Sequence, residues 1–172
     1  MSKAVMLSIR PKWCEKIVNG DKRIEVHKTR PKLEMPFKCY IYCTLQGCNE
    51  FFRVDLGGDV AKWNRGKWAD RKGKVIGEFT CDRIDRLAPA NEPYGIYDID
   101  DDYVLQTCLE NGALWDYGHG TPLYGWHISD LRIYDEAREL SEFTELRNTR
   151  FGAAPYDIKR APQSWCYVEE DT

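Results

Sequence analysis

Ionisable side chains crowd into the residues that follow a tight-turn signal: Lys22, Arg23, Glu25 and His27 come directly after Asn19-Gly20-Asp21. The stretch Lys22-Arg23-Ile24-Glu25-Val26-His27-Lys28 alternates polar with apolar residues. Read as a strand, it puts Ile24 and Val26 on one face and Arg23, Glu25 and His27 on the other. A lysine at the strand entry can meet a phosphate or, if burial lowers its pKa, polarise a carbonyl. Glu25 can accept a proton from a base amino group, orient a neighbouring cation or act as a general base. The plainer alternatives are a solvated turn lysine and a cross-strand ion pair.

Further residues suit recognition of a nucleotide. Ser8, Arg10 and Lys12 lead from an apolar run into a helix start, where unpaired backbone N–H groups and basic side chains can hold a phosphate. Trp13, Tyr124, Trp126 and Trp165 offer flat rings on which an unstacked base can lie, although a place in the core explains such rings equally well. Glu78 shares a strand face with Ile76 and Thr80, which is compatible with a carboxylate on an exposed sheet surface or beside a pocket. Cys39, Cys43 and Cys48 do not form a metal knuckle: the first two lie four apart on an expected strand, about 13 Å from end to end. No Gly-x-Ser-x-Gly elbow, phosphate loop or dinucleotide fingerprint occurs, so no cofactor and no metal are expected.

These side chains belong to a chain of 172 residues, 42% hydrophobic and 31% charged, which suits one domain spanning residues 1–172. The net charge of -3 argues against sequence-blind coating of DNA, but its distribution is uneven. Between Arg10 and Lys38, nine basic residues face four acidic ones, whereas Asp98, Asp100, Asp101 and Asp102 lie in a stretch with no basic residue. The seven cysteines sit mostly within apolar runs, as reduced buried thiols do. No apolar stretch approaches the roughly 20 residues that span a bilayer, and Met1-Ser2-Lys3-Ala4 has no signal-like apolar region; a cytoplasmic protein without membrane contact is expected.

The elements that must position the site read as follows. Val5–Ile9 is a buried strand, and Pro11–Asn19 is a short helix with Trp13, Cys14, Ile17 and Val18 on one stripe, stopped by Asn19-Gly20. Strands are expected over Lys22–Lys28, Phe37–Thr44, Lys74–Ile84 and Ser164–Val168, with two apolar stretches around a kink in Tyr124–Tyr134. Asp102–Asn111 reads as a helix ended by Asn111-Gly112, Val60–Trp63 as a helical turn, Leu140–Leu146 as a weak helix or turn, and Asn148–Ile158 as loop. Many short strands with few helices favour a closed or partly closed sheet.

The order strand, short helix, Gly20-Asp21-Lys22-Arg23-Ile24-Glu25-Val26-His27, then further strands resembles the ASCH family of the PUA-like superfamily, in which Gly-x-Lys-x-x-Glu-x-Arg marks this place. Gly20, Lys22 and Glu25 match; His27 stands where the family prefers Arg, so Lys28 or Arg30 would supply the cation or the contact would depend on pH. The Val75-Ile76-Gly77-Glu78-Phe79 strand, the Tyr124-Gly125-Trp126-His127-Ile128 segment and the terminal Arg160–Val168 resemble those of the larger ASCH proteins carried by phages and prophages, with insertions near residues 45–73 and 88–121. The resemblance implies an α+β, mainly β fold: a PUA-like mixed β-barrel with short flanking helices. It also implies a module that binds RNA or a modified nucleoside in a basic pocket, with Ser8, Arg10, Lys12, Trp13, Lys22, Arg23, Glu25, Lys28, Arg30, Tyr124 and Trp126 as binding residues. Two other activities accompany it. A hydrolase reading, ribonuclease or acetylcytidine amidohydrolase, would use Lys22, Glu25 and His27; the amidohydrolase branch carries a nucleophilic Thr where this chain has Glu25, leaving activation of a water with Lys22 on the oxyanion. An adaptor reading would dock a host protein on Asp98–Asp102 or on the insertion around Trp63 and Trp68.

Overall fold

The computed structural model describes residues 2–45 and 70–171, which form two compact units. The expected turn at Val60–Trp63 and the insertion aromatics Trp63 and Trp68 lie outside the described residues.

The first unit comprises Met1–Glu15, Lys38–Phe79 and Leu131–Thr172. Its centre is strand β1 (Lys3–Ile9), which is buried almost throughout and has a paired strand on each edge. It pairs in parallel with β3 (Phe37–Cys43), Met6 opposite Tyr40, and antiparallel with β10 (Trp165–Glu169), Met6 opposite Cys166. The parallel pairing requires a crossover, which helix α1 (Pro11–Val18) and strand β2 (Ile24–His27) occupy in the chain. Strands β4 (Lys74–Cys81), β7 (Ser129–Arg138), β8 (Thr144–Thr149) and β9 (Gly152–Asp157) complete a seven-stranded sheet of order β7-β4-β3-β1-β10-β8-β9. The order has two ends, so this sheet is not closed into a barrel. Ala4, Met6, Tyr40, Tyr42, Val75, Phe143, Ile158 and Val168 make its core.

The second unit comprises Lys16–Phe37 and Thr80–Asp130. Strand β6 (Leu123–His127) lies between β2 and β5 (Ile84–Leu87) in a three-stranded antiparallel sheet. Helices α2 (Asp101–Thr107) and α3 (Asn111–Gly118) belong to the same unit, and Val26, Leu87, Tyr97, Leu114 and Leu123 form its core. Asp100 caps α2 by accepting the Tyr103 N–H at 2.8 Å.

Two expectations are corrected. Asn111-Gly112 does not end the first helix of this region; Cys108, at φ 56°, takes the left-handed stop. Asn111 instead opens α3 and accepts the Tyr97 N–H on its side-chain oxygen at 2.7 Å. Asn148–Ile158 is no loop but most of the β8–β9 hairpin, paired from Thr144 opposite Asp157 to Thr149 opposite Gly152. Pro155 sits in β9, the last strand of the sheet, which is where a proline can be tolerated. Among the described residues, no helix is long and apolar enough to cross a membrane.

Candidate functional site

Past Val18 the chain reverses tightly. Gly20 takes φ +80°, and the N–H groups of Asp21 and Lys22 both donate to the Lys16 carbonyl, at 2.9 and 3.0 Å. A side chain at Gly20 would be strained in this conformation. The reversal turns Lys22 inward and feeds β2, which pairs antiparallel with β6, Glu25 opposite Trp126 and His27 opposite Tyr124. All four β2 residues are buried, so Glu25 and His27 of the anticipated polar face turn to the interior, whereas Arg23, just before the strand, is exposed.

Lys22 is only 2% exposed. Its ammonium donates to the Thr107 carbonyl at 2.6 Å and lies 3.3 Å from Glu25 Oε2. It thereby satisfies a carbonyl at the end of α2 that has no partner within the helix. Glu25, 8% exposed, approaches His27 Nε2 with its other oxygen at 3.9 Å. Its Oε2 has the lysine in ion-pair range but accepts no aligned hydrogen bond, so acceptor capacity remains on a desolvated carboxylate. Burial pushes the His27 imidazole below its ordinary pKa; the Glu25 carboxylate opposes the shift and the Lys22 cation adds to it. His27 is therefore neutral at neutral pH.

Trp126 is fully buried, its indole meeting His27 edge-on at 5.1 Å and Phe37 at 5.9 Å. It buttresses the imidazole rather than presenting a face to solvent. A partly exposed ring of this unit is Tyr117 on α3. It is 38% exposed, Lys28 Nζ stands 4.8 Å above its ring, and its phenol is pushed up first by burial and then by the Glu25 carboxylate. Nothing in the sequence marked Tyr117, because it falls within a segment read as insertion.

A second ionic cluster in this unit also escaped the sequence reading. His127 Nε2 meets Asp85 Oδ2 at 2.6 Å, and Arg83 Nε reaches the other oxygen at 2.7 Å. Burial works against ionisation of Asp85, but the His127 and Arg83 hydrogen bonds outweigh it and hold the carboxyl below its usual range. Tyr103 lies edge-on to His127 at 6.5 Å, and burial followed by the Asp85 charge raises its phenol pKa.

The remaining sequence-predicted residues are placed as follows. In the second unit, Arg23, Lys28 and Arg30 are exposed, Arg23 giving its backbone N–H to the Gln106 carbonyl at 2.8 Å; Tyr124 is half-buried. In the first unit, Ser8 donates its hydroxyl to the Pro162 carbonyl at 2.6 Å, Arg10 and Lys12 are exposed, and Lys12 Nζ stands 4.8 Å over the half-buried Trp13 ring. Trp165 packs edge-on against Tyr167 at 5.3 Å. Glu78 accepts the Tyr134 hydroxyl at 2.6 Å and lies 3.8 Å from Lys38 Nζ. Lys22, Glu25, His27 and Trp126 are thus brought together, and Lys28 stands over Tyr117 in the same unit.

By sequence, no family profile matches the chain and no curated protein does. By structure it is similar to the crystal structure of ASCH from Zymomonas mobilis, at 16% identity and a TM-score of 0.52, with 97% of this chain and 88% of that chain covered. A tyrosine-to-phenylalanine variant of the same bacterial protein matches at 15% identity and a TM-score of 0.51, covering 98% and 92%. The two-ended seven-stranded sheet, the short α1 crossover and the three-stranded β2-β6-β5 sheet therefore make up an α+β, mainly β chain with the fold of an ASCH protein.

Proposed function

We propose that the second unit binds an unstacked RNA base or a free modified nucleoside beside the Lys22–Glu25 ion pair. The observation that carries this reading is a buried carboxylate, held by a buried ammonium at 3.3 Å, in the same unit as a partly exposed tyrosine flanked by a lysine. Each member has a part in nucleoside recognition. Glu25 accepts an amino or imino proton of a base edge, neutral His27 adds an adjustable donor or acceptor, Tyr117 gives a stacking face, and Lys28 lies outside where a phosphate would run. A buried ion pair gives the fold little net stability compared with an apolar pair of the same size, which favours a role beyond structure. Membership of the ASCH family, including its larger phage-borne kind, is part of the reading. It is supported by the matched Gly20, Lys22 and Glu25, which fall at the turn and strand entry described above.

The test is calorimetric titration with a panel of plain and modified nucleosides. Tyr117→Ala, a change on an exposed helix face, should weaken binding about tenfold, the worth of one lost stacking contact. Lys22→Met/Glu25→Leu should abolish it. Wild-type affinity in both variants would remove the cluster from consideration.

The lowered pKa of His27 favours hydrolysis as a second reading, since a neutral imidazole 3.9 Å from a carboxylate can take a proton from water. Incubation with acetylcytidine should then release cytidine, detected by chromatography, and His27→Gln should stop it. Intact substrate at high protein concentration leaves binding alone.

A further inference from the structure

The β8–β9 hairpin of the first unit carries a second surface that no part of the nucleoside site uses. Its strands pair over six residues and turn through Arg150 and Phe151 into Gly152, which takes φ +107°. The register puts Glu145, Arg147 and Thr149 of β8 on one face with Ala154 and Tyr156 of β9. Arg147 lies 4.8 Å from the centre of the Tyr156 ring, and Arg150 lies 4.6 Å from that of Phe151. Phe151 is 85% exposed and Tyr156 is 42% exposed, so each ring keeps an open side next to a guanidinium. Lys159 and Arg160 follow β9, both exposed. Between Phe143 and Arg160 there are four cations, Arg147, Arg150, Lys159 and Arg160, against two acids, Glu145 and Asp157, in a chain whose net charge is -3. Glu145 offsets part of this through an ion pair with Arg147 at 2.8 Å.

We infer that this hairpin is a docking surface for single-stranded RNA, with Phe151 and Tyr156 stacking on bases and the four cations following the phosphates. An apolar partner would be met by rings without flanking charge; here each exposed ring has a guanidinium against it, which is the pairing that serves a base and its phosphate together. An added strand from another protein is disfavoured, because Pro155 removes a backbone donor from β9, the terminal strand of the sheet. The surface stands on its own residues, and only the choice of RNA over DNA rests on the function proposed above.

The experiment is fluorescence anisotropy of the full chain with a labelled uridine oligomer of about 12 nucleotides, a length within the range that such surfaces cover. The thymidine oligomer and an RNA duplex are run beside it, at about 50 and 200 mM salt. Phe151→Ala/Tyr156→Ala should lower affinity for the uridine oligomer about 100-fold, tenfold for each lost stack. Arg147→Ala/Arg150→Ala should reduce the log–log salt slope by about 1.4, or 0.7 for each phosphate released. Both variants change exposed residues and should keep the wild-type unfolding midpoint. Both hairpin variants should keep the wild-type calorimetric titration with free nucleosides. That separates the two sites, since failure of the nucleoside reading alone leaves oligomer binding intact. Equal affinity in the aromatic variant, an unchanged slope in the arginine variant, duplex bound as tightly as single strand, or tighter binding of the thymidine oligomer would each overturn the inference.

Discussion

The structural role of the Lys22–Glu25 pair is read by a mutant cycle: Glu25→Leu, Lys22→Met and the double variant. At 3.3 Å, with an effective dielectric constant of about 20, the Coulomb attraction is about 5 kcal/mol. Both side chains are nearly out of solvent, so removing one strands the other, a loss of about 3–5 kcal/mol. Lys22→Met costs a further ~1–3 kcal/mol, because the Thr107 carbonyl loses its 2.6 Å donor. The double variant strands no charge and should lose only that last amount. Urea denaturation with linear extrapolation reads these values as midpoint shifts at constant slope. The thermal midpoint should fall by roughly 6–20 °C in Glu25→Leu and by roughly 8–32 °C in Lys22→Met for a chain of this size. Single losses below about 1 kcal/mol that simply add in the double variant would mean that the pair behaves as a solvent-screened surface pair, and the reasoning would be refuted.

The remaining predictions concern pH, packing and capping. His27, with its folded pKa lowered, binds fewer protons in the native than in the unfolded state; stability is full above its unfolded pKa of about 6.5 and declines as pH falls toward the folded value. Urea midpoints measured at pH 7.5 and 5.5 should show this decline, and His27→Gln should remove it; an imidazole resonance that titrates at or above 6.5 by NMR would contradict it. In Gly125→Ala the new Cβ would stand 1.8 Å from the Tyr103 hydroxyl and 3.0 Å from Ile24 Cγ2, so a loss of about 1–3 kcal/mol is expected, partly restored by Tyr103→Phe. Wild-type stability in Gly125→Ala would show that this face is not tightly packed. Asp100→Ala removes the acceptor for the Tyr103 N–H and should cost about 1 kcal/mol in the same denaturation assay, with an unchanged midpoint counting against the cap.

What could be read from the residues was whatever is encoded locally. The Asn19-Gly20 stop, the buried run of β1, the alternation in β2 and the aromatic, β-branched β3 lie close to where their patterns put them, because turn chemistry and periodicity are properties of neighbouring residues. The meeting of Lys22, Glu25 and His27 was legible for the same reason. The burial of that trio was not, since alternation separates two faces without saying which one a second layer covers. The Thr107 partner of Lys22 is a backbone carbonyl 85 residues away, and a carbonyl leaves no mark on residue type. Asp85 facing His127 depends on the pairing of β5 with β6, again a non-local fact. The hairpin was read as loop because Gly152-Ala153-Ala154-Pro155 has poor strand propensity, which its place at the sheet terminus overrides. The α2–α3 boundary was misplaced because Cys108 adopts the left-handed conformation that Gly or Asn usually takes.

One ammonium serves two masters in this protein: Lys22 closes the end of α2 through Thr107 and neutralises Glu25. Any occupant that draws this cation toward itself must loosen the helix terminus by the same free energy, and a loosened terminus must weaken the occupant in return. Faster amide exchange just beyond Thr107 would then be the remote sign of such an occupant.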